Sequence, residues 1–300
     1  MKFAFFKSVL TPEEKKSRRH QRYLLLLSGL LLAVSFPPVP FPYLIFFALI
    51  PYLFVIEKRT SLIEINQATY LMGFIFSLFT IYWVGAFTEG RDSFLMIAGG
   101  ALLFVNPLFF LIPSTLYYLA RKYIGSKAAI FIFPFFWVTY EYIYMIIDLR
   151  FPWLALGNAL PYFTHYIQIA DQIGVTGLTL CILFVNVFIY KGIVNYNTKK
   201  VSKYIYFTLA ALIFVLPIIY GTVTLNNYKP VDKKVKVGLI QPNLDPYEKW
   251  NGGSLIELTK QYTALSEKAI DKGAEIIIWP ETALPVYLLS GGYEDVVVFI

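Results

Sequence analysis

The sharpest chemical signal in this 300-residue chain lies near its end, in Trp279-Pro280-Glu281-Thr282-Ala283-Leu284-Pro285. The preceding run, Glu275–Trp279 (EIIIW), reads as an apolar strand, so Glu281 falls just past a strand's carboxyl end. Open α/β sheets build their sites there. Pro280 and Pro285 stiffen the turn by fixing φ. An indole and a proline flanking the carboxylate are expected to shield it partly from water, a setting that suits a general base. The plain alternative is a loop glutamate beside a packing tryptophan. Other chemistry-bearing residues are few. Cys181 is the only cysteine, so no intrachain disulfide can form; it lies inside an apolar run, where a small buried hydrophobe is its expected role. His20 and His165 are the only histidines, and no Cys/His cluster has metal-ligand spacing.

The elements that must position Glu281 are short. Lys233–Pro242 contains VKVGLI and reads as a strand. Ser254–Lys272 reads as an amphipathic helix, with Leu255, Leu258, Tyr262, Leu265 and Ala269 recurring at spacings of three and four. Ser254 and Glu257 fit a capping box, and Gly273 fits a helix stop. Strand, helix and strand over about 45 residues make a βαβ-type unit. Its apolar, β-branched strands suggest a sheet buried on both faces. The final stretch, Tyr293–Ile300, is apolar without a cap. One such unit cannot cover its own edges, so residues 226–300 are expected to be the opening part of a larger domain.

Everything before Asn226 has a different character. The chain is 57% hydrophobic and 15% charged, where a soluble domain has about a quarter of its residues charged. A membrane-spanning helix needs about 20 apolar residues. Seven candidates follow: two within Tyr23–Ile56, broken by Pro37, Pro38, Pro40 and Pro42; then Gln67–Thr88; Ser93–Ala120, kinked at Pro107 and Pro113; Ala128–Ile147; Gln168–Tyr190; and Tyr204–Leu225. The expected division is a basic tail over 1–22, a transmembrane domain over 23–225, and the incomplete α/β domain over 226–300. The net charge of +7 sits mostly in the tail and in alternate loops. That bias reads as the positive-inside effect, with the N-terminus in the cytoplasm and residues after Leu225 outside, rather than as a nucleic-acid surface. Pro37 and its neighbours stand where a signal peptide would carry a cleavage site, so the first run reads as a retained helix.

Several segments resemble one family in order. The Pro-Glu at the end of a strand resembles the first catalytic motif of the nitrilase superfamily. The chain as a whole, over roughly residues 23–290, resembles the apolipoprotein N-acyltransferases, its membrane-anchored branch. Ser35-Phe36-Pro37-Pro38 is similar to the family's first loop, and Trp137 with Glu141 to its W-x-x-x-E pattern. Phe151-Pro152-Trp153-Leu154 with Gly157-Asn158 is similar to its outer loop, and Gly174, Gly177 and Asn186 to its sixth helix. Val237–Asn243 followed by Lys249-Trp250 is similar to its first nitrilase strand and arm.

The resemblance implies a polytopic helical membrane domain followed by the start of an α-β-β-α sandwich, in the bacterial cytoplasmic (inner) membrane with the sandwich on the periplasmic side. It implies transfer of a fatty acyl chain from a membrane phospholipid to the diacylglyceryl-modified N-terminal cysteine of a lipoprotein, through a thioester. Glu281 matches the glutamate of a Glu-Lys-Cys triad. The lysine and cysteine should follow it, beyond residue 300, and Lys260, Lys268 and Lys272 all precede it. Residues 1–300 alone are therefore expected to be inactive. Trp250 resembles an arm tryptophan near the lipid entrance. Trp153 reads as an interfacial anchor or a substrate contact. Glu141, inside an apolar helix, reads as site support, or as a structural carboxylate that reaches the interface or pairs with Arg150. Two rival functions are a membrane-tethered amidase and a transporter or scaffold; a transporter usually carries internal repeats and paired intramembrane charges, which this sequence lacks.

Overall fold

The computed structural model describes residues 11–85, 93–148, 150–197, 200–230, 232, 234–244, 255–286 and 292–299. The chain divides into two compact units, Met1–Tyr228 and Lys229–Ile300.

In the first unit, helix α1 (Pro12–Val34) opens on a capping box. Thr11 Oγ1 accepts from the Glu14 amide at 3.2 Å, and Glu14 Oε2 accepts from the Thr11 amide at 2.8 Å. The charged segment before Tyr23 is thus part of the first helix. The apolar stretch that follows is broken into pieces: a 3-10 turn at Pro42–Leu44, α2 (Ile45–Ala48) and α3 (Ile50–Ile56). Pro51, in the first turn of α3, has no N–H to continue the ladder across Leu49. Then come α4 (Leu62–Ile81), α5 (Ser93–Phe109), α6 (Leu111–Ile124), α7 (Ser126–Ile146), α8 (Thr164–Ile167), α9 (Ala170–Val194) and α10 (Lys200–Asn227). The expected kinked helix over Ser93–Ala120 is two helices, parted at Phe110 between Pro107 and Pro113. Helix α9 turns sharply at Gly174, whose φ of 64° favours glycine.

Among the described residues, five helical stretches are long and apolar enough to cross a membrane: Leu62–Gly85, Ser93–Ile124, Ser126–Ile146, Ala170–Val194 and Lys203–Asn227. On α10, Leu212, Leu216, Ile219 and Val223 are each about half exposed. A contiguous apolar surface of that kind needs a nonaqueous neighbour. The unit is a multi-pass membrane domain.

The broken helix between α2 and α3 leaves backbone groups that hydrocarbon cannot satisfy, and such backbone is tolerated at membrane depth only inside protein. Asn186 on α9 meets this demand. Its Oδ1 accepts from the Leu49 amide at 2.9 Å, and its Nδ2 donates to the carbonyls of Ile45 and Ile182, both at 2.9 Å. Ser28 Oγ donates to the Ala48 carbonyl at 2.5 Å. At the other end of α3, Arg121 Nη1 donates to the carbonyls of Ile56 and Arg59, both at 2.9 Å.

The second unit is a βαβ unit. Strands β1 (Val237–Leu239) and β2 (Ile276–Ile278) pair in parallel, Gly238 opposite Ile277, across helix α11 (Leu255–Asp271). Gly238 lets the helix approach: a Cβ there would meet that of Ala269 at 2.8 Å. Gly273 ends the helix with φ 85°, and the Ala274 amide donates to the Ala269 carbonyl at 3.0 Å. Ser254 lies outside the described residues. A short helix, α12 (Glu294–Phe299), follows. The sheet is not buried on both faces as expected. Helix α11 covers one face, while Val237, Leu239, Ile276 and Ile278 are 44 to 75% exposed on the other.

Candidate functional site

Glu281 stands in the turn directly after β2, at the carboxyl end of the parallel pair. The turn is held from behind. The indole of Trp279 does not lie over the carboxylate; it packs on Tyr262 of α11, ring centroids 4.9 Å apart, and its Nε1 donates to Ser266 Oγ at 2.9 Å. Ser266 Oγ in turn donates to the Tyr262 carbonyl at 2.8 Å. Glu281 itself is exposed, so the expected shielding by Trp279 and Pro280 is absent. The indole finds its apolar partner and its acceptor on the helix, which turns it away from the carboxylate. The next residue, Thr282, has φ 53°. A β-branched side chain is rare in that left-handed region, and such strain is held only where the surroundings fix it. The turn thus offers a proton acceptor at a strand end. No lysine or cysteine follows Glu281 among these 300 residues.

Glu141 lies on α7 and is only 4% exposed. It does not pair with Arg150. Its Oε1 accepts from Trp137 Nε1 at 3.0 Å, one helical turn back, and from the Leu156 amide at 2.9 Å. Its Oε2 accepts from Thr179 Oγ1 on α9 at 2.7 Å, and Thr179 Oγ1 accepts from the Gly157 amide at 2.9 Å. One carboxylate therefore joins α7, α9 and the 3-10 turn Leu156–Ala159. Gly157 permits the close approach, since a Cβ there would meet the Val175 carbonyl oxygen at 2.5 Å. A salt bridge is unnecessary when N–H and O–H donors converge on a carboxylate this way.

The loop that Glu141 anchors carries Trp153, in the 3-10 turn Pro152–Leu154. Trp153 is 58% exposed and meets Trp83 edge to face, centroids 5.5 Å apart. With Phe36, Pro37, Ile81 and Leu154 these rings line a cleft of about 490 Å³, within the range of small-molecule sites. The polar neighbours on its wall bond inward: Trp83 Nε1 donates to the Thr80 carbonyl at 3.0 Å, and Asn158 Nδ2 to the Pro152 carbonyl at 3.0 Å. The structure thus brings Glu141 and Trp153 into one assembly. Trp250 lies outside the described residues. Cys181 is partly buried on α9. Sequence reasoning missed Thr179 and Trp83. A single threonine in an apolar helix and a tryptophan at a helix end carry no spacing signal.

These features define a class: a multi-pass helical membrane protein whose chain continues into a βαβ unit with a glutamate at a strand end. The family model for the apolipoprotein N-acyltransferase N-terminal domain matches residues 28–188, more than half of the chain. Curated apolipoprotein N-acyltransferases are similar along most of it. The protein of Chlorobaculum tepidum is 31% identical over 275 residues, covering 89% of this chain and 50% of that one. The protein of Geobacter metallireducens is 29% identical over 294 residues, covering 94% and 55%. The chain belongs to the apolipoprotein N-acyltransferase family. It spans about half the length of these relatives.

Proposed function

We propose that the whole protein transfers a fatty acyl chain from a membrane phospholipid to the α-amino group of the diacylglyceryl-modified N-terminal cysteine of a lipoprotein. Membership of the family carries this reading, and the place of Glu281 supports it. In this scheme residues 226–300 open a nitrilase-like α-β-β-α sandwich. Glu281 is the general base. It takes the proton of a cysteine thiol; the thiolate attacks the ester carbonyl of the phospholipid, and a thioester forms as the lysophospholipid leaves with that proton on its oxygen. The lipoprotein amine then attacks the thioester, forming the amide and returning the thiol. The cysteine and its lysine partner belong to chain outside residues 1–300, so these residues alone are expected to transfer no acyl chain.

The topology fits two lipid substrates. Seven crossings result if the apolar half of α1 and the broken stretch Pro42–Ile56 join the five long helices. The positive-inside bias then puts the basic tail (1–22) in the cytoplasm, the membrane domain over 23–225, and the catalytic part on the periplasmic side of the bacterial inner membrane. Trp153, on the cleft that Glu141 braces, and Trp250, on the arm, contact the lipid substrates. The test is product analysis with purified full-length protein, a phospholipid and a synthetic diacylglyceryl lipopeptide. The lipopeptide should gain the mass of one acyl chain. Glu281→Gln should lower the rate by about 10²- to 10⁴-fold, the usual contribution of a general base. Cleavage of added small amides, with no transfer to the lipopeptide amine, would replace this reading with an amidase.

A further inference from the structure

A second cleft, of about 220 Å³, opens between α1 and α4 and is lined by Arg18, Arg22, Leu25, Arg59, Glu64 and Leu71 among others. Arg18 and Arg22 are one helical turn apart on α1, so they share a face. Both are exposed, and among the described residues neither has an ion pair. Arg59 is different. Its side chain is only 19% exposed, and its single carboxylate contact, Nη1 to Glu64 Oε1, is a long 3.4 Å. Its Nε is buried without any hydrogen-bond partner. Buried donors are nearly always satisfied, so an unpartnered one on a residue that lines a cleft calls for an acceptor. The backbone has no need of this side chain, because Arg121 already serves the carbonyls of Ile56 and Arg59.

Charge and depth identify the acceptor. Three guanidinium groups against one carboxylate leave two uncompensated positive charges (3 − 1 = 2). Guanidinium forks match phosphate oxygens in geometry as well as charge. Leu25 and Leu71 line the same cleft, and the apolar run of α1 begins at Tyr23, one residue past Arg22. The cleft is therefore basic beside the start of the apolar run of α1. We propose that it binds the phosphate headgroup of an anionic phospholipid, with the start of a lipid chain against the partly exposed Leu71. Basic pockets between membrane helices on the positive side are suited to this role. The site belongs to the leaflet beside the N-terminal helix and does not depend on the acyl-transfer reading.

The whole chain, reconstituted into nanodiscs of phosphatidylcholine with or without phosphatidylglycerol, tests the proposal, with retained lipid counted by native mass spectrometry. Wild type should keep one phosphatidylglycerol in preference to phosphatidylcholine. The double variant Arg18→Ala/Arg22→Ala should bind it about thirty-fold more weakly, from the usual contribution of each basic residue near an anionic surface. Glu64→Gln, which removes the competing carboxylate, should tighten it about five-fold. The opposite sign keeps the test decisive even if the double variant folds poorly. Lys127→Ala, outside the cleft, should change nothing. Equal retention of the two lipids, or wild-type retention by the double variant, would overturn the proposal. So would saturable binding of inorganic phosphate in lipid-free detergent that phosphatidylglycerol fails to displace, since the ligand would then be free phosphate.

Discussion

The two units place their polar and apolar groups in opposite ways. In the membrane unit Ser28, Ser77, Asn106, Thr179 and Asn186 are fully buried, while Leu212, Leu216 and Ile219 on α10 stand outside. In the second unit the exposed helix face carries Lys260, Glu267, Lys268 and Lys272, the marks of an aqueous setting, yet Leu239, Ile276 and Ile278 are also exposed. The difference follows from the solvent. Hydrocarbon accepts outward leucines but gives a broken helix no hydrogen bonds, so polar side chains must be carried inside to supply them. Water satisfies loose backbone but not an aliphatic strand face. Buried polar residues in the first unit therefore satisfy its broken backbone, and the exposed apolar residues of the second have no such explanation in its own fold.

The largest expected effect comes from removing the side chain that closes the break in the membrane unit. Asn186→Leu removes the acceptor of the Leu49 amide and the donor to the Ile45 carbonyl inside the protein, at a loss of about 2 to 5 kcal/mol. Thermal unfolding in detergent should show it. Asn195→Ala, at the partly exposed end of α9, should cost under about 1 kcal/mol because water replaces its bond to the Lys191 carbonyl. Equal losses at the two positions would erase the contrast drawn above.

Next comes Glu141. Glu141→Ala removes the acceptor shared by Trp137, Leu156 and Thr179, for an expected loss of about 3 kcal/mol. Glu141→Gln keeps one oxygen and should lose less. Hydrogen exchange should speed up at the Leu156 and Gly157 amides in the alanine variant, and stay unchanged at Val237–Leu239. Unchanged exchange at Leu156 would show that the loop is held by packing alone.

Sequence reading reached different depths in the two units. Hydropathy alone marks the long helices, and Pro37, Pro38, Pro40 and Pro42 mark the break after α1, because each signal lies within one segment. Gly273 as a helix stop and the strand–helix–strand order are equally local. Partners are not. Pairing with Arg150, nine residues on, is one of the readings the sequence offers for Glu141, yet its partners include Leu156 and Thr179, the latter 38 residues away on another helix. The turning of Trp279 toward Ser266 is likewise a tertiary choice between two apolar neighbours. The spacing of Ile276, Ile277 and Ile278 reads as a strand buried on both sides, and nothing in three isoleucines tells which face a helix will cover.

That uncovered face gives the smallest effect and the most informative one. Leu239 is 75% exposed. In residues 1–300, Leu239→Lys should change stability by no more than about 0.5 kcal/mol, as for an ordinary surface position. Gly238→Ala, one residue away, should lose more, because its Cβ would press on Ala269 beneath the helix. Exchange of the β1 amides reports on both variants. The same pair in the native protein then separates two states of the sheet. If Leu239→Lys stays neutral there, the face is bare and the two units differ only in solvent. If it becomes as damaging as Gly238→Ala, further chain or a partner covers the strands, and the exposed isoleucines are one half of a core.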